Sequence, residues 1–107
     1  TCLSANRVAV VDAGTWKVAA VLEHPAFAQP HGVALSPDGQ HLFVSNRHQR
    51  GGAHQHQGGK PTGTGTVVSF CAATRAPEHV LTVGNYAAGI GSPLPLGKAV
   101  PAPRPCR

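Results

Sequence analysis

The chain has 107 residues and a net charge of +5, from nine Lys and Arg against four Asp and Glu. This length suits one small domain or a segment of a larger protein. The basic residues are scattered rather than grouped beside aromatic residues, which argues against a nucleic-acid partner. No apolar run reaches the roughly eighteen residues that would predict a membrane span. The chain opens at Thr1 without an initiating methionine, so we expect a processed or truncated protein.

Glycine and proline shape the predicted fold from its first elements onward. The 13 glycines and 10 prolines interrupt every apolar pattern of helical period, so we expect strands and turns. Residues 7–12 and 16–22 are rich in β-branched side chains and are predicted to pair as a hairpin. In its turn we expect the Asp12 carboxylate to cap the backbone and Gly14 to adopt the left-handed conformation. Residues 23–29 are predicted to be a connection.

A second hairpin is predicted at residues 30–46, around the turn Ser36-Pro37-Asp38-Gly39. Proline presets φ at the first corner of this turn, aspartate bonds its own downstream backbone, and glycine takes the positive φ that closes it. The flanking runs 33–35 and 42–44 are apolar throughout. We therefore expect both faces of this hairpin to be covered by other sheets.

The second half of the chain continues the alternation of strands and turns. Residues 47–63 are rich in His and Gly and have no periodicity, which predicts a long surface loop. Residues 64–70 and 77–83 are predicted to be strands, and residues 84–91 lead into a further inner strand. From residue 92 to residue 107 the prolines predict an extended tail.

The pattern repeats along the chain. An offset of 59 residues aligns Thr15 with Thr74, and an offset of 57 aligns Gly32 with Gly89. The first offset also matches four apolar pairs: Val8 with Val67, Val11 with Phe70, Val21 with Val80 and Leu22 with Leu81. Without most of the His/Gly loop, each unit has about forty residues, which is the spacing of β-propeller blades.

These residues resemble the YVTN-type β-propeller repeat, which reads approximately Val-x-Val-Ile-Asp-x-x-Thr, Val-Gly-x-x-Pro-x-Gly, Ser-Pro-Asp-Gly and Tyr-Val-x-Asn. The resemblance covers about residues 7–91. A second, weaker copy at residues 83–90 has Ala87 in the proline place, and Cys71 stands where Asp12 stands. The matches of the first copy are Val8-Ala9-Val10-Val11-Asp12-Ala13-Gly14-Thr15, Pro30-His31-Gly32-Val33-Ala34-Leu35, Ser36-Pro37-Asp38-Gly39 and Phe43-Val44-Ser45-Asn46.

The resemblance implies an all-β fold of four-stranded antiparallel β-propeller blades, present here as an incomplete propeller. Residues 1–29 would be the last two strands of one blade with the connection, residues 30–83 a full blade, and residues 84–91 the first strand of a following blade. A closed propeller needs about four to eight blades. The expected partners are therefore the remaining blades of the same protein or other copies of the chain. The resemblance also implies an exported protein, periplasmic or extracellular.

Five histidines are expected on one face of such a blade. Because its strands alternate in direction, the 47–63 loop and the 23–29 connection emerge on the same side. Imidazoles of the loop could bind zinc, copper or nickel, and the alternative is a solvated polar loop. A histidine at the start of the inner strand could face a ligand or be a hydrogen-bonded structural residue. The candidate metal ligands are His48, His54 and His56, the ligand-face candidates are His24 and His31, His41 lies at the opposite end, and His79 lies in an outer strand.

The three cysteines, Cys2, Cys71 and Cys106, show no Cys-x-x-Cys spacing, which argues against a cysteine zinc site. One disulfide is an alternative in an exported protein, but the spacing gives no pairing, and we expect free thiols.

Catalysis is not indicated by the four acidic residues. Asp12 and Asp38 are explained as turn residues, and Glu23 and Glu78 are not paired with a nucleophile in the sequence. No catalytic or cofactor-binding motif is present. The sequence favours a non-enzymatic binding or scaffold segment of a propeller protein. The alternative is a segment of a propeller oxidoreductase or lactonase whose active site is completed by further blades.

Overall fold

The computed structural model describes residues 1–48, 64–84, 86–93, 102, 104 and 106, and all regular structure within them is β. β1 and β2 form a two-stranded antiparallel sheet, and β3 to β6 form a four-stranded antiparallel sheet in consecutive order. This confirms the predicted all-β, antiparallel fold. No helix in these ranges has the length and apolar character needed to cross a bilayer. The strands are β1 (Val8–Val11), β2 (Val18–Leu22), β3 (Pro30–Leu35), β4 (His41–Asn46), β5 (Gly65–Cys71) and β6 (Pro77–Val83).

The predicted β3–β4 hairpin is confirmed, with its turn at residues 36–39. Gly39 has a φ of 73° and donates its backbone N–H to the Ser36 carbonyl oxygen at 2.8 Å. The Asp38 carboxylate accepts the Ser36 hydroxyl and, at 3.1 Å, the Gln40 N–H. The side chain of Asp38 thus satisfies one backbone N–H, that of Gln40, together with the Ser36 hydroxyl.

The β1–β2 turn confirms one expectation and corrects another. Asp12 Oδ1 accepts the backbone N–H groups of Gly14 at 3.0 Å and Thr15 at 2.7 Å. The left-handed residue is Trp16, with a φ of 56°, and not Gly14. The Trp16 N–H donates to the Asp12 carbonyl oxygen at 2.8 Å, and the next residue, Lys17, accepts a hydrogen bond from the Asp12 N–H. These two hydrogen bonds require the left-handed conformation at position 16.

The β5–β6 hairpin has the same construction. Its ladder shifts register between Ser69 and Phe70, as the first ladder does between Val10 and Val11. Arg75 has a φ of 64° and donates its N–H to the Cys71 carbonyl oxygen at 2.7 Å. The two hairpins therefore share a bulge, a turn hydrogen bond and a left-handed corner.

The hydrophobic core lies between the two sheets. β1 and β2 contribute the ends of their strands, β4 and β5 contribute their central residues, and the 23–29 connection contributes Phe27, which is fully buried. The Phe27 and Phe70 rings are 5.7 Å apart and tilted, a geometry that aromatic pairs prefer. The buried apolar cluster comprises Val8, Leu22, Phe27, Val44, Val68 and Phe70.

The expectation that the apolar runs of the hairpin are covered is wrong for Val33, on the outer strand β3. Val44, at the centre of the four-stranded sheet, is fully buried, but Val33, which lies opposite Val44 and projects to the same face, is 47% exposed. Leu81 on β6 is 61% exposed. The packed elements cover the central strands β4 and β5, and the apolar side chains of the outer strands remain open to solvent.

The further strand expected at residues 84–91 is absent between Tyr86 and Pro93. A strand needs a neighbour that takes up its backbone hydrogen bonds, and no described strand pairs with this segment. The segment runs beside β3, where the carbonyl oxygen of Ala88 meets the His31 ring at 2.7 Å. Of the predicted loop, residues 49–63 lie outside the described residues, as does most of the predicted tail.

Candidate functional site

Two of the three predicted metal ligands, His54 and His56, lie outside the described residues. The third, His48, is buried; its backbone N–H donates to the Ala28 carbonyl oxygen at 3.2 Å. Its ring meets the Tyr86 ring edge-on, with 4.8 Å between centroids. His48 is therefore packed against the segment that follows β6, and a metal site shared by the three histidines stays a prediction.

The first predicted ligand-face residue, His24, lines an open cleft of about 360 Å³. Its Nδ1 accepts the Ala26 N–H at 3.0 Å, and its ring packs on Phe27 and Phe70. At the surface of the cleft, the guanidinium of Arg7 pairs with the Glu23 carboxylate at 2.6 Å. Both charged side chains are more than half exposed, so this pair adds little stability. The cleft is lined by Ala5, Asn6, Arg7, Glu23, His24 and Pro25.

The second ligand-face residue, His31, is exposed on β3, and its ring contacts a backbone carbonyl group. Its Nδ1 lies 2.7 Å from the Ala88 carbonyl oxygen. Because a carbonyl oxygen only accepts, the His31 Nδ1 carries the proton. Ligand binding through His24 or His31 stays a prediction, and within the described residues the two side chains have separate partners.

The structure brings together a cluster that the sequence did not predict, at the end of the four-stranded sheet near the 36–39 turn. His41 Nδ1 lies 2.9 Å from Glu78 Oε2, with both side chains partly buried. Cys106 is joined to Cys71 by a disulfide, with 5.8 Å between the Cα atoms. Ligand atoms of His41, Glu78 and Cys106 all lie within 4.8 Å of one another.

The disulfide corrects the expectation of three free thiols. Cys71 is buried at the end of β5, Cys106 is partly buried beside it, and the free cysteine is the exposed Cys2. The paired cysteines are 35 residues apart, and no motif in the sequence indicates that they pair. The pairing depends on where the chain after β6 returns, which local patterns do not encode.

Part of the cluster had a signal in the sequence. β4 begins and β5 ends at the same side of the sheet, so the ladder places His41 directly opposite Cys71. Glu78, near the start of β6, lies on that side as well. The turns predicted before β4 and between β5 and β6 therefore bring His41, Cys71 and Glu78 to the same side of the sheet. The sequence had nevertheless predicted no role for His41.

The 36–39 turn holds a charged carboxylate, that of Asp38, which interacts with His41 of this cluster. The hydroxyl of Ser36 holds the pKa of Asp38 below its usual range, and the Gln40 N–H and the charge of His41 act in the same direction. In the β1–β2 turn, the backbone N–H and hydroxyl of Thr15 lower the pKa of Asp12. Both carboxylates are therefore charged turn residues at neutral pH.

Comparisons of this chain with models of protein families, with curated proteins and with solved structures found no match.

Proposed function

We propose that this chain is a non-enzymatic binding or scaffold segment of a YVTN-like β-propeller protein. In this proposal β3 to β6 form one blade, and β1 and β2 are the last two strands of the blade before it. The residues after β6 lead towards the next blade. The His/Gly loop and the 23–29 connection form the ligand face.

The observation that carries the proposal is that the β1–β2 and β5–β6 hairpins share a bulge and a left-handed corner at equivalent positions. Their ladder bulges and their left-handed corners, Trp16 and Arg75, are each separated by the 59 residues that align the two halves of the sequence. Tryptophan and arginine do not favour this conformation by themselves. Two different residues in the same uncommon state at the same position support a repeated unit.

The connection between units supports the same proposal. Gln29, before β3, has a φ of 56°, and Tyr86, after β6, has a φ of 57°. They are separated by the 57 residues that align Gly32 with Gly89. The connections that follow β2 and β6 thus each contain a left-handed residue, as expected if both lead from one blade to the next.

The contact between the two sheets also supports this proposal. Val8 and Leu22 of the β1–β2 sheet belong to the same apolar cluster as Val44, Val68 and Phe70 of the four-stranded sheet. Val33 and Leu81 remain exposed on the outer strands. In a propeller, the first two strands of the preceding blade would cover Val33 and a following blade would cover Leu81, because each blade is packed on both faces.

A ligand face at one end of the blade is supported by contacts of the loop's first residues. Arg47 and His48 donate their backbone N–H groups to Gln29 and Ala28, so the loop departs beside the connection. At this end, the Asn46 side chain is fully buried, and its Oδ1 accepts no hydrogen bond from a described residue. A ligand or loop donor would satisfy this oxygen.

Native mass spectrometry of the oxidised full chain, with and without Zn²⁺ or Cu²⁺, tests both parts of the proposal. We expect concentration-dependent association through the open sheet faces, which Val33→Lys with Leu81→Lys abolishes. We also expect one bound ion, which His54→Ala with His56→Ala removes and the control His79→Ala retains. A monomer that takes up neither ion would overturn the proposal.

A further inference from the structure

The cluster at the turn end of the four-stranded sheet holds four groups that bind transition metals. His41 and Cys71 lie directly opposite each other on β4 and β5, and opposite residues of an antiparallel pair project to the same face. The Glu78 carboxylate reaches the His41 ring from β6. Three neighbouring strands thus each contribute one ligand type: imidazole, thiol and carboxylate.

The fourth group, Cys106, comes from the end of the chain. Its sulfur is bonded to that of Cys71 and lies 3.5 Å from the carbonyl oxygen of Gln40, the residue before His41. The Cys106 sulfur, a His41 ring nitrogen and a Glu78 oxygen lie within 4.8 Å of one another. Ligands around a tetrahedral zinc ion lie about 3.3 to 3.8 Å apart. The three atoms are therefore at most about 1.5 Å farther apart than the ligands of such an ion.

The disulfide blocks this chemistry in the oxidised chain. Metals such as zinc bind the cysteine thiolate, and both sulfurs are used in the bond between Cys71 and Cys106. A dithiol reductant would open the site: it supplies two electrons and two protons, the bond between the two sulfurs breaks, and the reductant's own sulfurs join in a new disulfide. Cys106 is partly exposed, so the bond can be reached from solvent.

We infer that the reduced chain binds one Zn²⁺ through Cys71, Cys106, His41 and Glu78, and that the disulfide is the closed state of this metal site. On binding, the two thiols release their protons to solvent and coordinate as thiolates. Two sulfurs, one imidazole and one carboxylate suit tetrahedral zinc. The site is separate from the His/Gly loop, whose first residues leave the opposite end of β4.

Co²⁺ is the probe, because tetrahedral cobalt absorbs visible light and cobalt–thiolate bonds add charge-transfer absorption in the near ultraviolet. The Cys2→Ser chain, which lacks the free thiol, is titrated oxidised and after reduction with a phosphine. We expect one Co²⁺ with thiolate charge transfer in the reduced chain only, displaced by Zn²⁺. Zn²⁺ should also protect Cys71 and Cys106 from alkylation.

Variants separate this site from any other. In the reduced chain, His41→Ala and Glu78→Gln should weaken Co²⁺ binding by more than about tenfold, the loss that even an outer-shell partner causes. His79→Ala, a histidine of the same strand as Glu78, is the matched control and should bind unchanged. The double variant His54→Ala with His56→Ala removes only histidines of the His/Gly loop. Its reduced chain should therefore keep the cobalt–thiolate charge-transfer band.

Three results would overturn the inference. They are a reduced chain without thiolate charge transfer, an unchanged affinity in His41→Ala, and equal Co²⁺ binding after Cys71→Ser with Cys106→Ser. Circular dichroism follows the fold in each case. If reduction unfolds the chain, Zn²⁺ should restore the β signal, and its failure to do so would equally overturn the inference.

Discussion

Trp16 and Arg75 adopt the same left-handed backbone conformation, with φ of 56° and 64°, at the same position of two separate hairpins. In both, the N–H of this residue donates to the carbonyl oxygen four residues earlier, at 2.8 and 2.7 Å. In both, the ladder shifts register just before the turn. Because the two side chains have nothing in common, the turn geometry and not the residue type imposes this conformation.

Glycine at either corner should therefore stabilise the protein. A left-handed conformation costs a non-glycine residue roughly 1–2 kcal/mol, and glycine avoids most of that cost. Trp16 is 81% exposed and Arg75 is exposed, so little packing is lost. We expect Trp16→Gly and Arg75→Gly each to raise the free energy of unfolding by about 1 kcal/mol in urea titrations.

Neighbouring positions provide the control for this prediction. Lys17 and Ala76 follow the two corners and are not in the left-handed region. Lys17→Gly and Ala76→Gly should lower the free energy of unfolding, since glycine there adds only freedom to the unfolded chain. A loss of stability in Trp16→Gly or Arg75→Gly would contradict the argument.

A methyl group at Gly32 should be poorly tolerated. A Cβ there would lie 2.7 Å from Ser45 Oγ and 2.8 Å from the carbonyl oxygen of Ala88, which is backbone and cannot rotate away. We expect Gly32→Ala to lower the free energy of unfolding by about 1–3 kcal/mol. Gly89 has no atom within 4 Å of a built Cβ, so Gly89→Ala should be close to neutral. Equal effects of the two substitutions would show that crowding at β3 does not decide the outcome.

Local signals in the sequence were sufficient for most of the strands. The Ser-Pro-Asp-Gly turn predicted the β3–β4 hairpin, because each residue has a backbone preference that the turn needs. The bounds of β6 were predicted as residues 77–83, as the structure has them. The corner at Trp16 was missed, since aromatic residues rarely adopt a positive φ and only the paired ladder requires it.

The candidate site was less predictable because it depends on distant segments. The ladder opposite His41 places Cys71 there, and this follows from two predicted turns at one side of the sheet. Cys106 has no such signal, since its position depends on the path of a proline-rich segment. The contact of Glu78 with His41 depends further on the bulge beside Ser69, which shifts β6 by one residue.

Acid should weaken the fold through the two turn aspartates. Asp12 and Asp38 both have a pKa that their hydrogen bonds lower in the folded chain. A lowered folded-state pKa gives stability that is present above the unfolded value, about 3.9, and is lost as the pH falls through the folded value. We expect the free energy of unfolding to decline below about pH 5 for this reason.

Asp12→Asn with Asp38→Asn tests the contribution of these charges. Asparagine keeps the side-chain oxygen that caps each turn but does not titrate. The double variant should lose less stability than the original chain between neutral pH and acid, as measured by urea unfolding at each pH. Parallel curves would mean that other groups cause the acid dependence.

The disulfide should contribute a large part of the stability of so small a chain. It joins Cys71, at the end of β5, to Cys106 across 35 residues, and a loop of this length gives about 4 kcal/mol when closed. Cys71→Ala with Cys106→Ala should lower the free energy of unfolding by about that amount, whereas Cys2→Ser, an exposed free thiol, should change it by less than about 0.5 kcal/mol. Without reductant, alkylation followed by mass spectrometry should label Cys2 alone. Labelling of all three cysteines, or a double variant as stable as the original chain, would contradict this account of the disulfide.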